Sequence, residues 1–319
     1  MPQEKPDTPA SISGPGKIIA VGGAKGGIGK SLFVANLGVL LSQMGKRIVL
    51  VDLDLGGSNL HLYMGVWSLT SRIDDFLDKN VENIHDILTP TKYGPLLIGG
   101  GGGKLGAANI HYSRKQKLLK AIKTIDADYV ILDLGGDTTY NILDFYLSAD
   151  QGFVLTTCDP ASYLDAYGFI KTSLYRKLTR LFSPESSYYN HRDGLVDQLI
   201  KDHIFTNTAD NGNRIDALLD ALVQEKPVYH GIIKGLLDNF RPGVVVTMVE
   251  KEDQAVDLIT RLRKVSGKIL SVELNHFGCV PFEKSIQQSA KELVPSVAKA
   301  PDGTFAKALR RIALKMEMA

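Results

Sequence analysis

Residues Gly23-Ala24-Lys25-Gly26-Gly27-Ile28-Gly29-Lys30-Ser31 decide how this chain is read. They follow a short apolar run, Lys17 to Gly22, and precede Ser31 to Met44, whose apolar residues recur at helical spacing and stop at Gly45. A strand, a glycine turn and a helix in that order are the setting a phosphate-binding loop requires. Glycines let consecutive backbone N–H groups curl inward around phosphate oxygens. The helix adds the positive end of its dipole. In such a loop Lys30 reaches the β- and γ-phosphates and the Ser31 hydroxyl ligands Mg²⁺. One position departs from the ordinary G-x-x-x-x-G-K-[ST] pattern, which places glycine where this chain has Ala24.

Working outward, Arg47 to Leu53 reads as a second buried strand that runs into Asp52-Leu53-Asp54-Leu55-Gly56. Alternation along an extended chain puts Asp52 and Asp54 on one side. Tyr129-Val130-Ile131-Leu132-Asp133 is an apolar run closed by a carboxylate, the arrangement in which an acid holds Mg²⁺, often through water. Further strands are expected at Pro95 to Ile98, Gly152 to Thr157, Val244 to Val249 and Phe277 to Val280. Helices are expected at Ser113 to Ile125, Asn141 to Leu147, Ala161 to about Leu181, Asp253 to Val265 and Phe305 to Met316. Repeated strand–helix–strand units imply an α/β fold, a doubly wound and mostly parallel sheet that binds ligands at the carboxyl ends of its strands. Residues 1–16, with four prolines among polar residues, read as a flexible leader. Residues 17–319 read as a single domain carrying a helical insertion at about 171–242.

Composition narrows the function. Thirty-seven Lys plus Arg against 35 Asp plus Glu leave a formal charge of +2, which gives no general reason to expect nucleic acid. Two cysteines, Cys158 and Cys279, are too few for a disulfide framework or a zinc site. No run approaches the roughly 18 apolar residues of a spanning helix, and the N-terminus lacks secretory character. A cytoplasmic location is expected. The run Gly99 to Gly103 lacks the Lys and Ser/Thr of a second phosphate loop and reads as a flexible strand exit.

The segment Lys25-Gly26-Gly27-Ile28-Gly29-Lys30-Ser31 resembles the deviant Walker A motif of the MinD/ParA family. The match continues through Asp52 to Gly56, Asn59-Leu60 and Gly65. Leu143-Asp144-Phe145, Ala149-Asp150, Thr156-Thr157, Pro160 and Asp165-Ala166-Tyr167 follow in the order seen in that family's FlhG/FleN-like branch. The resemblance covers roughly residues 17–170 and 243–315. It implies a P-loop ATPase that binds ATP and Mg²⁺ and dimerises in the ATP state. In the family the signature lysine, here Lys25, reaches the partner's phosphates, as an arginine finger does. The catalytic aspartate falls on Asp54, which orients water, and the Mg²⁺ site falls on Ser31, Asp54 and Asp133. The loop from Ala24 to Ser31 cradles the phosphates. Adenine contacts fall on Thr247, where relatives often have asparagine, and on Pro281 in Val280-Pro281-Phe282.

The resemblance further implies slow turnover, an activating protein or cargo, and a role in the position or number of a cellular structure. Alternatives within the fold are a ParA-like DNA-partitioning ATPase and a metabolic enzyme of the cobyrinic-acid amidoligase kind. No clear N-terminal D-Q-A motif, by which many FlhG proteins engage their GTPase partner, is present. The C-terminal helix is amphipathic but short and weakly hydrophobic. Packing against the domain is expected of it, with peripheral contact at the inner membrane as the alternative.

Overall fold

The computed structural model describes residues 14–101, 110–205 and 214–318. Most of the expected leader and Gly102-Gly103 lie outside them. Eight strands form one sheet: β1 Lys17–Gly22, β2 Ile48–Leu53, β3 Thr89–Pro90, β4 Leu96–Ile98, β5 Tyr129–Leu134, β6 Gln151–Thr156, β7 Gly243–Val249 and β8 Asn275–Pro281. Their spatial order is β3-β4-β2-β5-β1-β6-β7-β8. Every pairing is parallel except β3 with β4. The doubly wound expectation holds, with one antiparallel edge. Only two residues long, β3 is too brief to leave a pattern in the sequence.

Strand alternation sorts the core into two layers. Ile18, Ala20, Val49 and Val51 face one side, and Ile19, Val21, Ile48 and Leu50 face the other. Helices cover both faces, so the central strands are apolar throughout. The helices are α1 Lys30–Gln43, α2 Leu60–Tyr63, α3 Ile73–Leu77, α4 Tyr112–Ile122, α5 Tyr140–Leu147, α6 Pro160–Thr179, α7 Gly194–Phe205, α8 Arg214–Glu225, α9 Pro227–Asp238, α10 Glu252–Leu270, α11 Lys284–Lys291, α12 Ser296–Lys299 and α13 Thr304–Met318. The helical stretch expected from about residue 171 begins inside α6, whose Asp159 cap accepts the Ser162 N–H at 2.9 Å.

The C-terminal helix settles against the domain. In α13, Phe305, Leu309, Ile312 and Met316 are buried in the layer that also holds α1. The apolar stripe of this helix is therefore packed into the core, as expected of it. The fully buried Asn36 of α1 ties this corner together, its Oδ1 accepting the Val297 N–H of α12 at 3.0 Å. Among the described residues no helix is long and apolar enough to cross a membrane.

The glycine run does not behave as a loose exit where it is described. A Cβ on Gly99 would stand 2.2 Å from Leu69, and one on Gly100 would stand 2.7 Å from the Ser58 hydroxyl and 2.9 Å from the Asp52 carbonyl oxygen. These glycines let β4 lie directly against the segment after β2. Close packing, rather than freedom of movement, explains them.

Candidate functional site

The loop after β1 curls because its glycines permit it. Gly27 and Gly29 have φ of 79° and 87°, and Gly29 caps α1. Residue 24 adopts no positive φ, so Ala24 is accommodated where the ordinary pattern has glycine. Inside the curl, Lys30 is buried and its Nζ donates to the Lys25 carbonyl at 2.8 Å. Burial lowers its pKa, opposed by the charges of Asp133, Asp54 and Asp137. An ammonium held this way, in a cage of amides and carboxylates, is placed for phosphate.

Three carboxylates gather beneath and beside it. Asp52 and Asp133 are register partners on adjacent strands. The fully buried Asp52 is occupied: it accepts from the Ser58 hydroxyl at 2.6 Å and from the backbone N–H groups of Asp54 and Leu60 at 3.1 Å. Burial pushes its pKa up to about 6, against those three donors. Asp52 thus staples the segment between β2 and α2. By contrast, both oxygens of the buried Asp133 lack a hydrogen-bond partner. Burial first, and the Asp52 charge second, raise its pKa well above the carboxylate range. The Ser31 hydroxyl is near enough to favour the ionised form without being placed to donate.

An orphaned buried carboxylate next to a loop serine is what a divalent cation would satisfy. Among the described residues no group of three or more His, Cys, Asp or Glu could hold a metal alone. That suits Mg²⁺, which keeps waters and takes one or two carboxylates plus phosphate oxygens.

Asp54 lies at the cavity, its Oδ1 accepting the Gly57 N–H at 3.1 Å. Gly135 lies against it, since a Cβ there would stand 3.4 Å from the same oxygen. The next residue, Gly136, touches the phosphate loop: its Cβ would meet Gly26 N at 3.0 Å. The segments that follow β2 and β5 therefore converge on the loop.

A cavity of about 370 Å³ opens there, bounded by Gly26 to Ser31, Asp54, Met248, Pro281 and Phe282. Ala24 and Lys25 are not in its wall. Lys25 turns away, its Nζ 3.2 Å from Asp159 Oδ1. The Thr157 hydroxyl, the Ser162 N–H and Lys25 hold the Asp159 pKa down to about 2. Thr247 lines the cavity, but its hydroxyl is directed at the carbonyls of Ile28 (2.8 Å) and Thr156 (3.2 Å). Its proton braces the loop instead of awaiting a base, which alters the expected role.

Sequence reasoning missed Met248. It stands at φ 55° in an irregularity where β7 departs from β8. A Cβ on Gly29 would lie 3.7 Å from its Cε, so Met248 leans over the loop. The sequence carried no signal for a left-handed methionine.

Residues 19–295 match the CobQ/CobB/MinD/ParA nucleotide binding domain. The chain belongs to that family. Among relatives of this CobQ/CobB/MinD/ParA member is Antiactivator FleN of Pseudomonas aeruginosa, 21% identical over 305 residues, or 95% of this chain and 87% of FleN. Flagellum site-determining protein YlxH of Helicobacter pylori is 28% identical over 168 residues, which span 50% of this chain and about half (55%) of YlxH. The septum site-determining protein MinD of Pyrococcus horikoshii, solved with Mg-ADP, shares the fold with a TM-score of 0.59 at 16% identity, over 94% of this chain and 95% of that one.

Proposed function

We propose that the chain is a Mg-ATP-dependent ATPase switch that dimerises in its ATP state and, in the manner of FlhG-like proteins, governs the position or number of a cellular structure through a protein partner. The observation that carries this reading is the division of labour between two lysines five residues apart. Lys30 is buried inside its own loop, whereas Lys25 leaves that loop and pairs with Asp159 at the surface. A second lysine outside its own cavity is available to another subunit.

Ser31 and Asp133 would hold Mg²⁺, which when bound neutralises charge on the phosphates. Lys30 and the amides of Gly26 to Gly29 would bind the β- and γ-phosphates. Asp54, partly open to the cavity, would orient water, and Lys25 of the partner would offset charge developing on the transferred group. Met248, Pro281 and Phe282 offer the base an apolar seat. The switch works through differential affinity of the monomer and the dimer for the two nucleotides.

The test is mass in solution with ATP, with ADP and without nucleotide, on the parent chain and on Lys25→Ala. The parent should pair only with ATP, and the variant should bind ATP yet stay monomeric. ATP-induced dimers of Lys25→Ala would overturn the trans role. A parent chain that remains monomeric with ATP would favour a synthetase on the same fold.

A further inference from the structure

A second cavity, of about 500 Å³, opens away from the phosphate loop, where the ends of α4 and α6 meet α5 and α9. Its floor is apolar. Leu119 of α4, Leu147 of α5 and Leu236 of α9 pack against the core on one side and stay partly exposed on the other. Its rim carries unanswered charge of one sign. Lys120 and Lys123, one helical turn apart at the end of α4, are exposed, and Lys177 joins them from the last turn of α6.

The two acids in the wall are committed elsewhere. Asp144 accepts from Arg176 at 2.8 Å and 2.9 Å, from Arg180 at 2.9 Å and from the buried Lys115. Glu185 accepts from Arg180 at 2.7 Å and from the Tyr112 hydroxyl. Among the described residues the ammonium groups of Lys120 and Lys123 have no partner, and Lys177 meets only the Phe240 ring, 5.5 Å from its centroid. The whole chain has a surplus of two positive charges, yet this one cavity holds three lysines that no described acid offsets. Carbonyl dipoles at the two helix ends favour a cation there. They give no reason for leucines from three helices to stay open between those cations. A nucleic acid would use the lysines and leave the leucines idle. An apolar floor rimmed by cations is the complement of an amphipathic helix with apolar side chains on one face and carboxylates beside them.

We propose that this cavity docks an acidic amphipathic segment of a protein partner, its apolar side chains seated on Leu119, Leu147 and Leu236 and its carboxylates met by Lys120, Lys123 and Lys177. The surface does not depend on the nucleotide reading, because none of its residues borders the nucleotide cavity.

The test is fluorescence anisotropy on the full chain with a labelled peptide of about 14 residues, in which leucines recur at i, i+3, i+4 and i+7 and glutamates fill the flanking positions. Two control peptides replace every leucine by serine or every glutamate by lysine, and a DNA duplex of mixed sequence forms a further arm. Saturable binding of the first peptide is expected, tenfold or more tighter than either control. Lys120→Glu combined with Lys123→Glu, both at exposed positions, should weaken it tenfold or more and leave ATP affinity unchanged. Absence of saturable binding up to about 1 mM overturns the proposal, as does equal binding of the serine peptide or an affinity that the charge reversal does not alter. It is equally overturned by a duplex that binds more tightly and is lost on charge reversal, which assigns the surface to nucleic acid. Nucleotide-free self-association lost in the same way assigns it to a second copy of the chain, and that too overturns the proposal.

Discussion

Replacing Asp133 by asparagine should make the nucleotide-free protein more stable while abolishing its response to Mg-ATP. The side chain is 1% exposed, both oxygens are without partners, and its strand neighbour Asp52 carries like charge. A buried unsatisfied polar group costs about 1–3 kcal/mol, and a charged one more. The amide is neutral and nearly isosteric, so Asp133→Asn should recover on the order of 1–3 kcal/mol, raising the melting temperature by on the order of a few degrees. The sign with pH follows from linkage. Because the folded pKa lies above the unfolded value, the native state binds the extra proton, and stability falls as pH rises through the interval between them. The advantage of the variant should thus vanish below about pH 4 and grow as pH rises above that point. Thermal and urea unfolding of both proteins from pH 4 to 8, with and without Mg-ATP, reads all of this. The reasoning fails if Asp133→Asn destabilises the nucleotide-free chain at neutral pH, or if Mg-ATP stabilises both proteins equally.

Lys30→Ala should reduce ATP affinity by at least two orders of magnitude, about 3 kcal/mol, in equilibrium binding with a labelled nucleotide; unchanged affinity removes the phosphate-loop assignment. Asp54→Ala should retain ATP and accumulate as the paired form, with phosphate release slowed about 10²-fold or more. Ordinary turnover by that variant would show that water is oriented by another group. Thr247→Val should lower stability by about 0.5–1.5 kcal/mol for the lost hydrogen bond and loosen the loop, read as faster amide exchange at residues 28–30. If exchange there stays at parental rates, the brace from Thr247 to Ile28 is not what holds the loop.

Much of this architecture could be read from local pattern, because its decisive parts are local. Strand, glycine turn and helix are contiguous, and the apolar runs ending in Asp52 and Asp133 mark their own boundaries. The match at β1 is residue for residue, and β5 starts at Tyr129 as read and runs one residue past Asp133. What escaped was either too short to show a period or made by distant residues. Helices α2 and α12 are a single turn each. Thr247 meets Ile28 across 219 residues, and Lys25 meets Asp159 across 134. No window of sequence records such pairings. Gly99 to Gly101 failed for another reason: composition suggests mobility, but a glycine beside Leu69 and Ser58 answers a demand for space that only the packed neighbours reveal.

The tie between Asn36 and Val297 bears on how such a chain emerges from the ribosome. Residues 23–31 are made early, yet the helix they start is covered on one side by α12 and α13, which lie far downstream in the chain. Its strand β1 likewise waits for β5 and β6 on either flank. Throughout most of translation the nascent polypeptide therefore carries an unsealed ATP loop with apolar surface beside it. Premature termination before residue 297 should leave a product that chaperones retain, because α1 would lack its cover.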